Sequence, residues 1–123
     1  MRILRIDHVQ VTAPRAREKE VRHFYGNVLG LKEIVRPQTT IPASGLWYAF
    51  EEAHQLHIVL TDNPARQPAG DHYAVLVDDL EAVKRQLADN EVPYEPSPVQ
   101  GGYERMFVQD PFGNRIEFIA PAS

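Results

Sequence analysis

The sequence has no cysteine, so a disulfide, a thiolate metal site and a cysteine nucleophile are all excluded. No apolar run approaches the roughly 20 residues that a membrane-spanning helix requires. The first residues, Met1-Arg2-Ile3-Leu4-Arg5-Ile6-Asp7, lack the apolar core and small-residue cleavage site of a secretory leader. Positive charge is in deficit: 13 Lys and Arg stand against 17 Asp and Glu, a net charge of −4. Without clustered positive charge, neither nucleic acid nor an anionic membrane is expected as a partner. A cytoplasmic location is the expectation that remains.

The 123 residues suffice for one ordinary domain, and 43% hydrophobic against 24% charged content is that of a folded chain rather than a disordered one. Residues 3–11 read as a strand, with Val9 and Val11 facing one way and His8 and Gln10 the other, closed by Pro14. Between residues 16 and 29, Val21, Phe24, Tyr25, Val28 and Leu29 fall at i, i+3, i+4, i+7 and i+8, which predicts an amphipathic helix ended by Gly30. A short strand follows over 31–35. After a polar loop over 38–45 come two strands, 46–50 and 55–60, joined by a turn and expected to pair as a hairpin.

A Pro- and Gly-containing linker, 61–70, leads into a second round of the same order. Residues 71–77 read as a strand. Asp78 with Glu81 three residues on resembles a capping box, and Leu80, Val83 and Leu87 give the following helix its apolar face, with Asn90 at its end. A short strand over 92–94, a Pro/Gly loop over 96–102 and strands over 105–109 and 114–119, around the turn Asp110-Pro111-Phe112-Gly113, complete the unit. The expected fold is therefore α+β: two βαβββ modules, 1–63 and 70–121, related by a pseudo-two-fold axis within one domain, 1–123. Their sheets would form one curved mixed sheet with an open concave face.

The repeat also arranges polar residues. Asp7-His8 in the first strand answers Asp71-His72, and His57 answers Glu117 in the closing strands. Each stands among residues of apolar parity and points away from the helix-covered face. First and last strands would bring His8, His57, His72 and Glu117 to one point. Three imidazoles and a carboxylate suit a borderline divalent ion: zinc, nickel, iron(II), cobalt or manganese. Dropping any one leaves a three-ligand set with open positions. His23 and His54, on a helix and in a turn, read as ordinary residues, and Phe24, Tyr25 and Leu29 as core.

Several stretches together resemble the vicinal oxygen chelate superfamily, which holds glyoxalase I, bleomycin and fosfomycin resistance proteins and extradiol dioxygenases. They are Asp7-His8-Val9, Phe24-Tyr25-Gly26-Asn27-Val28-Leu29-Gly30-Leu31, Asp71-His72 and Asp110-Pro111-Phe112-Gly113-Asn114-Arg115-Ile116-Glu117. The resemblance covers essentially the whole chain. It implies the paired βαβββ fold and a metal site on His8, His72 and Glu117, with a fourth position on the strand that holds His57. An alignment on Leu60-Thr61 would put Val59 at that position; internal symmetry favours His57. Glutamate is commoner there in the family.

The activity so implied is that of a divalent-metal-dependent enzyme of the glyoxalase/dioxygenase type. Its small substrate would chelate the metal through neighbouring oxygens in a lyase, isomerase or conjugating reaction, with Glu117 or a metal-bound water as the proton carrier. One alternative is a binding protein that confers drug or antibiotic resistance, with or without metal. A second is an iron(II) ring-cleaving dioxygenase, the fit if His57 is not a ligand. The resemblance also implies a homodimer, and the linker is long enough for the chains to exchange modules.

Trp47 and Tyr48 alternate, so one of them faces the cavity, and Trp47 is the candidate for stacking on substrate. Tyr103, after Gly101-Gly102, and Arg115 are the other substrate candidates. Arg115 shares parity with Glu117 and could pair with it, bind a substrate anion or lie at the rim. The loop bearing Tyr103 and Arg105 could cradle an anion or serve as a plain connection.

Overall fold

The computed structural model describes residues 1–37, 44–65 and 67–122, so most of the loop expected over 38–45 lies outside the described residues. The chain divides into two compact units, Met1–Ala65 and Arg66–Ser123. No described helix is long and apolar enough to cross a membrane.

The first unit holds β1 (His8–Pro14), a helical segment, β2 (Lys32–Ile34), β3 (Ser44–Ala49) and β4 (Gln55–Thr61). The second holds β5 (Tyr73–Leu76), a helix, β6 (Glu95–Gln100), β7 (Tyr103–Gln109) and β8 (Arg115–Pro121). Each unit forms an open four-stranded sheet, ordered β1-β4-β3-β2 and β5-β8-β7-β6. In both, the first strand lies parallel to the last and the remaining pairs are antiparallel. This is the duplicated βαβββ pattern that the sequence predicts, and the fold is α+β.

Alternation along the strands gives each sheet two faces. In the first unit Val11, Leu46, Tyr48, Leu56, Ile58 and Leu60 are buried on the face that takes Val21, Phe24, Tyr25 and Val28 of the helical segment. The Tyr25 and Tyr48 rings meet at 5.9 Å. In the second unit Met106, Val108, Ile116, Phe118 and Ala120 share the core with Leu80 and Leu87. Burial of each large side chain contributes about 1.5–3 kcal/mol. That fixes the register and so turns the intervening polar residues to the opposite face.

Several boundaries differ from the sequence reading. The first strand starts at His8, not Ile3, because β4, which pairs with it, starts at Gln55 opposite His8; Ile3, Leu4 and Ile6 stay exposed. The first helix is not uniform. A 3-10 turn (Arg15–Arg17) precedes α1 (Glu18–Val21), and Arg22–Val28 is π-helical. Its last links, Leu29 N–H to the Phe24 carbonyl and Leu31 N–H to the Tyr25 carbonyl, each at 2.9 Å, are wider than α-helical ones. Gly30, at φ +71°, then lets the chain leave.

The second helix, α2 (Leu80–Asp89), is capped by Asp79 rather than Asp78: its carboxylate accepts from Ala82 N–H at 3.1 Å. The largest difference is β6, which occupies the stretch expected as a Pro/Gly loop. Pro96 and Pro98 lack the N–H that a central strand needs, but β6 is an edge strand and its register shifts between Ser97 and Gln100.

The turn before β8 is held by one side chain. Asp110 Oδ1 accepts from the N–H groups of Phe112 (2.9 Å) and Asn114 (2.8 Å), and Oδ2 accepts from Asn114 Nδ2 (2.8 Å). Gly113, at φ +92°, closes it.

Candidate functional site

The ladder registers place the four candidate ligands on matching diagonals. In the first unit Gln10 stands opposite His57, and His8 opposite Gln55. In the second, Ala74 stands opposite Glu117, with His72 two residues before Ala74. His8 is thus to His57 as His72 is to Glu117, and His57 rather than Val59 is the counterpart of Glu117. The structure brings together His72 with Glu117 in one unit and His8 with His57 in the other. Within neither unit do three or more His, Asp or Glu side chains gather closely enough to hold an ion, among the described residues.

His72 and Glu117 form the better-defined pair. The Nδ1 atom of His72 lies 2.8 Å from the Gly70 carbonyl, which can only accept, so Nδ1 carries the proton. In the neutral ring Nε2 then offers a lone pair, and it lies 3.2 Å from Glu117 Oε1. An ionised carboxylate also only accepts. Two acceptors face each other, and either a second proton on the imidazole or a cation reconciles them. Two ligand atoms each at about 2.0–2.2 Å from one ion stand about 3 Å apart, so the pair fits a divalent ion. A backbone carbonyl fixing the far nitrogen is also the usual outer support of a metal-bound imidazole.

Glu117 is 8% exposed, too buried to stand as an unsupported charge. Arg105 supports it: Nε lies 3.1 Å from Glu117 Oε2. The N–H is turned off that line, so this is an ion pair rather than a hydrogen bond, and Nε makes no hydrogen bond among the described residues. The other end of the guanidinium is anchored on the edge strand, Nη2 donating to Ser97 Oγ at 2.9 Å and Nη1 to Gln100 Oε1. Phe107 lies opposite Glu117 in the ladder. Its ring meets His72 edge-on at 5.1 Å and carries the Arg115 guanidinium on its face at 3.9 Å.

In the first unit His8 Nδ1 donates to Asp7 Oδ2 at 3.0 Å, which leaves Nε2 available. That hydrogen bond, more than the charge of Arg5, holds the Asp7 carboxyl below the usual range against the opposing effect of desolvation. His57 is differently placed. Its ring lies flat between Trp47 (3.7 Å, 6°) and His8 (4.0 Å, 20°). Its Nε2 donates to Gln55 Oε1 at 2.8 Å. Burial first, and the charge of His8 second, push its pKa down and favour the neutral imidazole. Ring lone pairs lie in the ring plane, so those of two nearly parallel stacked rings do not aim at one point. As it stands, His57 fits a packed wall better than a ligand.

Of the substrate candidates, Trp47 has one face covered by His57, while Tyr48 points into the core. Tyr103 is exposed at the start of β7. Arg115 sits on Phe107, and the partner of Glu117 is Arg105, not Arg115. Sequence reading treated Arg105 as part of a loop or strand start and missed this pairing, along with Asp7 and Gln55 as the partners of the histidines. The matching parity of positions 105 and 117 in neighbouring strands was the available signal.

Comparison with known proteins follows the same line. Residues 5–118 match the model of the Glyoxalase/Bleomycin resistance protein/Dioxygenase superfamily. No curated protein matches the chain. Among solved structures, a protein assigned to the glyoxalase family from Bacillus anthracis is 33% identical, covers 98% of each chain and superposes with a TM-score of 0.88. A lactoylglutathione lyase from Agrobacterium tumefaciens, 18% identical, covers 94% of this chain and 92% of its own with a TM-score of 0.70. A fosfomycin resistance protein from Listeria monocytogenes, 14% identical, covers 98% and 96% with a TM-score of 0.75. The last two are similar in fold alone.

Proposed function

Because the chain belongs to the Glyoxalase/Bleomycin resistance protein/Dioxygenase superfamily, we propose that it is a divalent-metal-dependent enzyme whose small substrate chelates the ion through neighbouring oxygens. The ion would be held by His72 and Glu117 together with His8, and His57 would supply the fourth ligand by turning out of its stack. It would supply Lewis-acid stabilisation of the negative charge that develops on a substrate oxygen. The observation that carries this reading is the approach of His72 Nε2 to Glu117 Oε1 at 3.2 Å, with His72 Nδ1 committed to Gly70.

The chain's own residues define the rest. Asp7 and Gly70 fix which nitrogen each histidine offers. Arg105 pairs with Glu117 and orients it, and Glu117 is the group that would take and return a proton in lyase or isomerase chemistry. The protein is expected to work as a cytoplasmic homodimer, its chains paired side by side or exchanging modules. Metal analysis of protein purified without chelator tests the reading, with His8, His72 and Glu117 variants alongside. Wild-type protein that takes up no divalent ion at micromolar concentration ends it.

A second reading is favoured by the flat stacking of His57 between Trp47 and His8. If His57 stays out of the ligand set, two histidines and one carboxylate remain, the set suited to iron(II) and oxygen chemistry. Oxygen consumption by the iron(II)-loaded protein with catechols separates the two. A drug-binding resistance protein, the remaining alternative, would give protection to cells even from a Glu117→Gln variant.

A further inference from the structure

The second unit contains a cleft of about 550 Å³, bounded by residues 67–71, residues 93–95, the end of β7 and the start of β8. That volume is in the range of small-molecule sites. Its charged lining is split. Arg115 holds its Cζ over the Phe107 ring, 3.9 Å from the centroid, and its guanidinium has no hydrogen bond or ion pair among the described residues. Asp71 and Glu95 also line the cleft, and neither carboxylate has a partner among the described residues. Glu95 stands directly opposite Phe107 in the ladder. A cation and an acid thus flank one aromatic ring without pairing with each other.

Phe107 holds the guanidinium from one side, and none of its N–H groups is engaged among the described residues. A planar fork of that kind takes a carboxylate through two parallel hydrogen bonds. A simple organic acid is a poor match to the whole cleft, because two unpaired carboxylates would repel it. A simple amine leaves Arg115 unsatisfied. A ligand carrying both charges satisfies both walls.

We propose that this cleft binds the zwitterionic end of an α-amino acid or amine-bearing carboxylic acid, with the carboxylate on Arg115 and the ammonium on Glu95 and Asp71. Phe107 also touches His72 edge-on, so the cleft adjoins the His72–Glu117 pair. Taking the ligand for the substrate rests on the function proposed above; the binding itself does not.

The test is a chemical-shift titration of the full chain after chelator treatment, with the standard amino acids, their N-acetylated forms and plain carboxylic acids as probes. At least one amino acid is expected to shift the amides of Asp71, Glu95 and Gln109 at millimolar concentration. Arg115→Gln should weaken it roughly ten- to a hundredfold, with Arg115→Lys in between. Glu95→Gln combined with Asp71→Asn should abolish the preference over the N-acetylated form. If no amino acid binds, if the N-acetylated forms bind equally well, or if folded Arg115→Gln binds as wild type does, the proposal is wrong. Absence of metal uptake by the wild type would overturn the proposed function and leave these results standing.

Discussion

His72 turns Nε2 toward Glu117 Oε1 at 3.2 Å while its Nδ1 is bound to the Gly70 carbonyl at 2.8 Å. The ring is therefore oriented before any ion arrives, and only its Nε2 is on offer. Calorimetric titration with zinc, cobalt, nickel or manganese should show tight binding to the wild type. Glu117→Gln keeps the shape but not the charge and should weaken binding more than about a hundredfold, beyond the 10–100-fold typical of an outer-sphere partner. Asp7→Asn, which touches only the far nitrogen of His8, should fall within that 10–100-fold range. Equal affinity for wild type and Glu117→Gln would remove Glu117 from the ligand set.

His57 allows a sharper discrimination. His57→Phe preserves an aromatic ring between Trp47 and His8 and deletes both nitrogens. If the stacked geometry describes its role, metal stoichiometry stays unchanged and affinity moves by less than about threefold, or about 0.7 kcal/mol. A loss comparable to that of Glu117→Gln would show that the ring leaves the stack to become a fourth ligand. Cobalt(II) absorption would report the change in coordination number directly.

The pairing of first with last strands could be read from the sequence because the polar residues recur with the module. His8 and His72 fall at the same point of the repeat, as do His57 and Glu117, and alternation fixes their face. What could not be read depends on contacts between strands. The Arg105–Glu117 ion pair needs the β7–β8 register, and the anchors of Arg105 lie in a segment whose two prolines look like a loop. A proline is a strong signal against a central strand but a weak one against an edge strand, and sequence does not say which strand is the edge. The His8–His57–Trp47 stack draws on three strands, β1, β4 and β3, so only the assembled ladder reveals it. The π-helical segment likewise preserves the apolar spacing of an α-helix, so periodicity alone does not distinguish them.

Tyr48 is 1% exposed and its hydroxyl has no hydrogen-bond partner among the described residues. Burial, followed by the negative charge of Glu33, pushes its pKa up to about 12. The un-ionised form is thus favoured by the folded state, while the unfolded chain ionises near 10. This contribution to stability is complete below pH 10 and is lost as pH rises from about 10 through 12. Absorbance at the tyrosinate band should show Tyr48 titrating late. Tyr48→Phe should remove one tyrosine's worth of amplitude from the late part of the titration. At neutral pH it should leave stability within about 1 kcal/mol of wild type or raise it, since it removes a buried polar atom that has no partner among the described residues.

Asp110 governs where Glu117 stands. The residue is 4% exposed, and its carboxylate collects the N–H groups of Phe112 and Asn114 and the Asn114 side-chain amide, and so sets the residue at which β8 begins. Asp110→Ala strands three donors in or near the core, which should cost about 3 kcal/mol or more in urea unfolding. Asp110→Asn should cost less, because Oδ1 still accepts from the two backbone groups. It would, however, set an amide donor against Asn114 Nδ2 unless that side chain flips. A register slip of one residue would turn Glu117 to the helix-packed face and bring Ile116 out. Asp110→Ala should therefore lose metal binding at a urea concentration below that needed to unfold it. If metal binding and far-ultraviolet dichroism are instead lost together, the turn serves global stability alone.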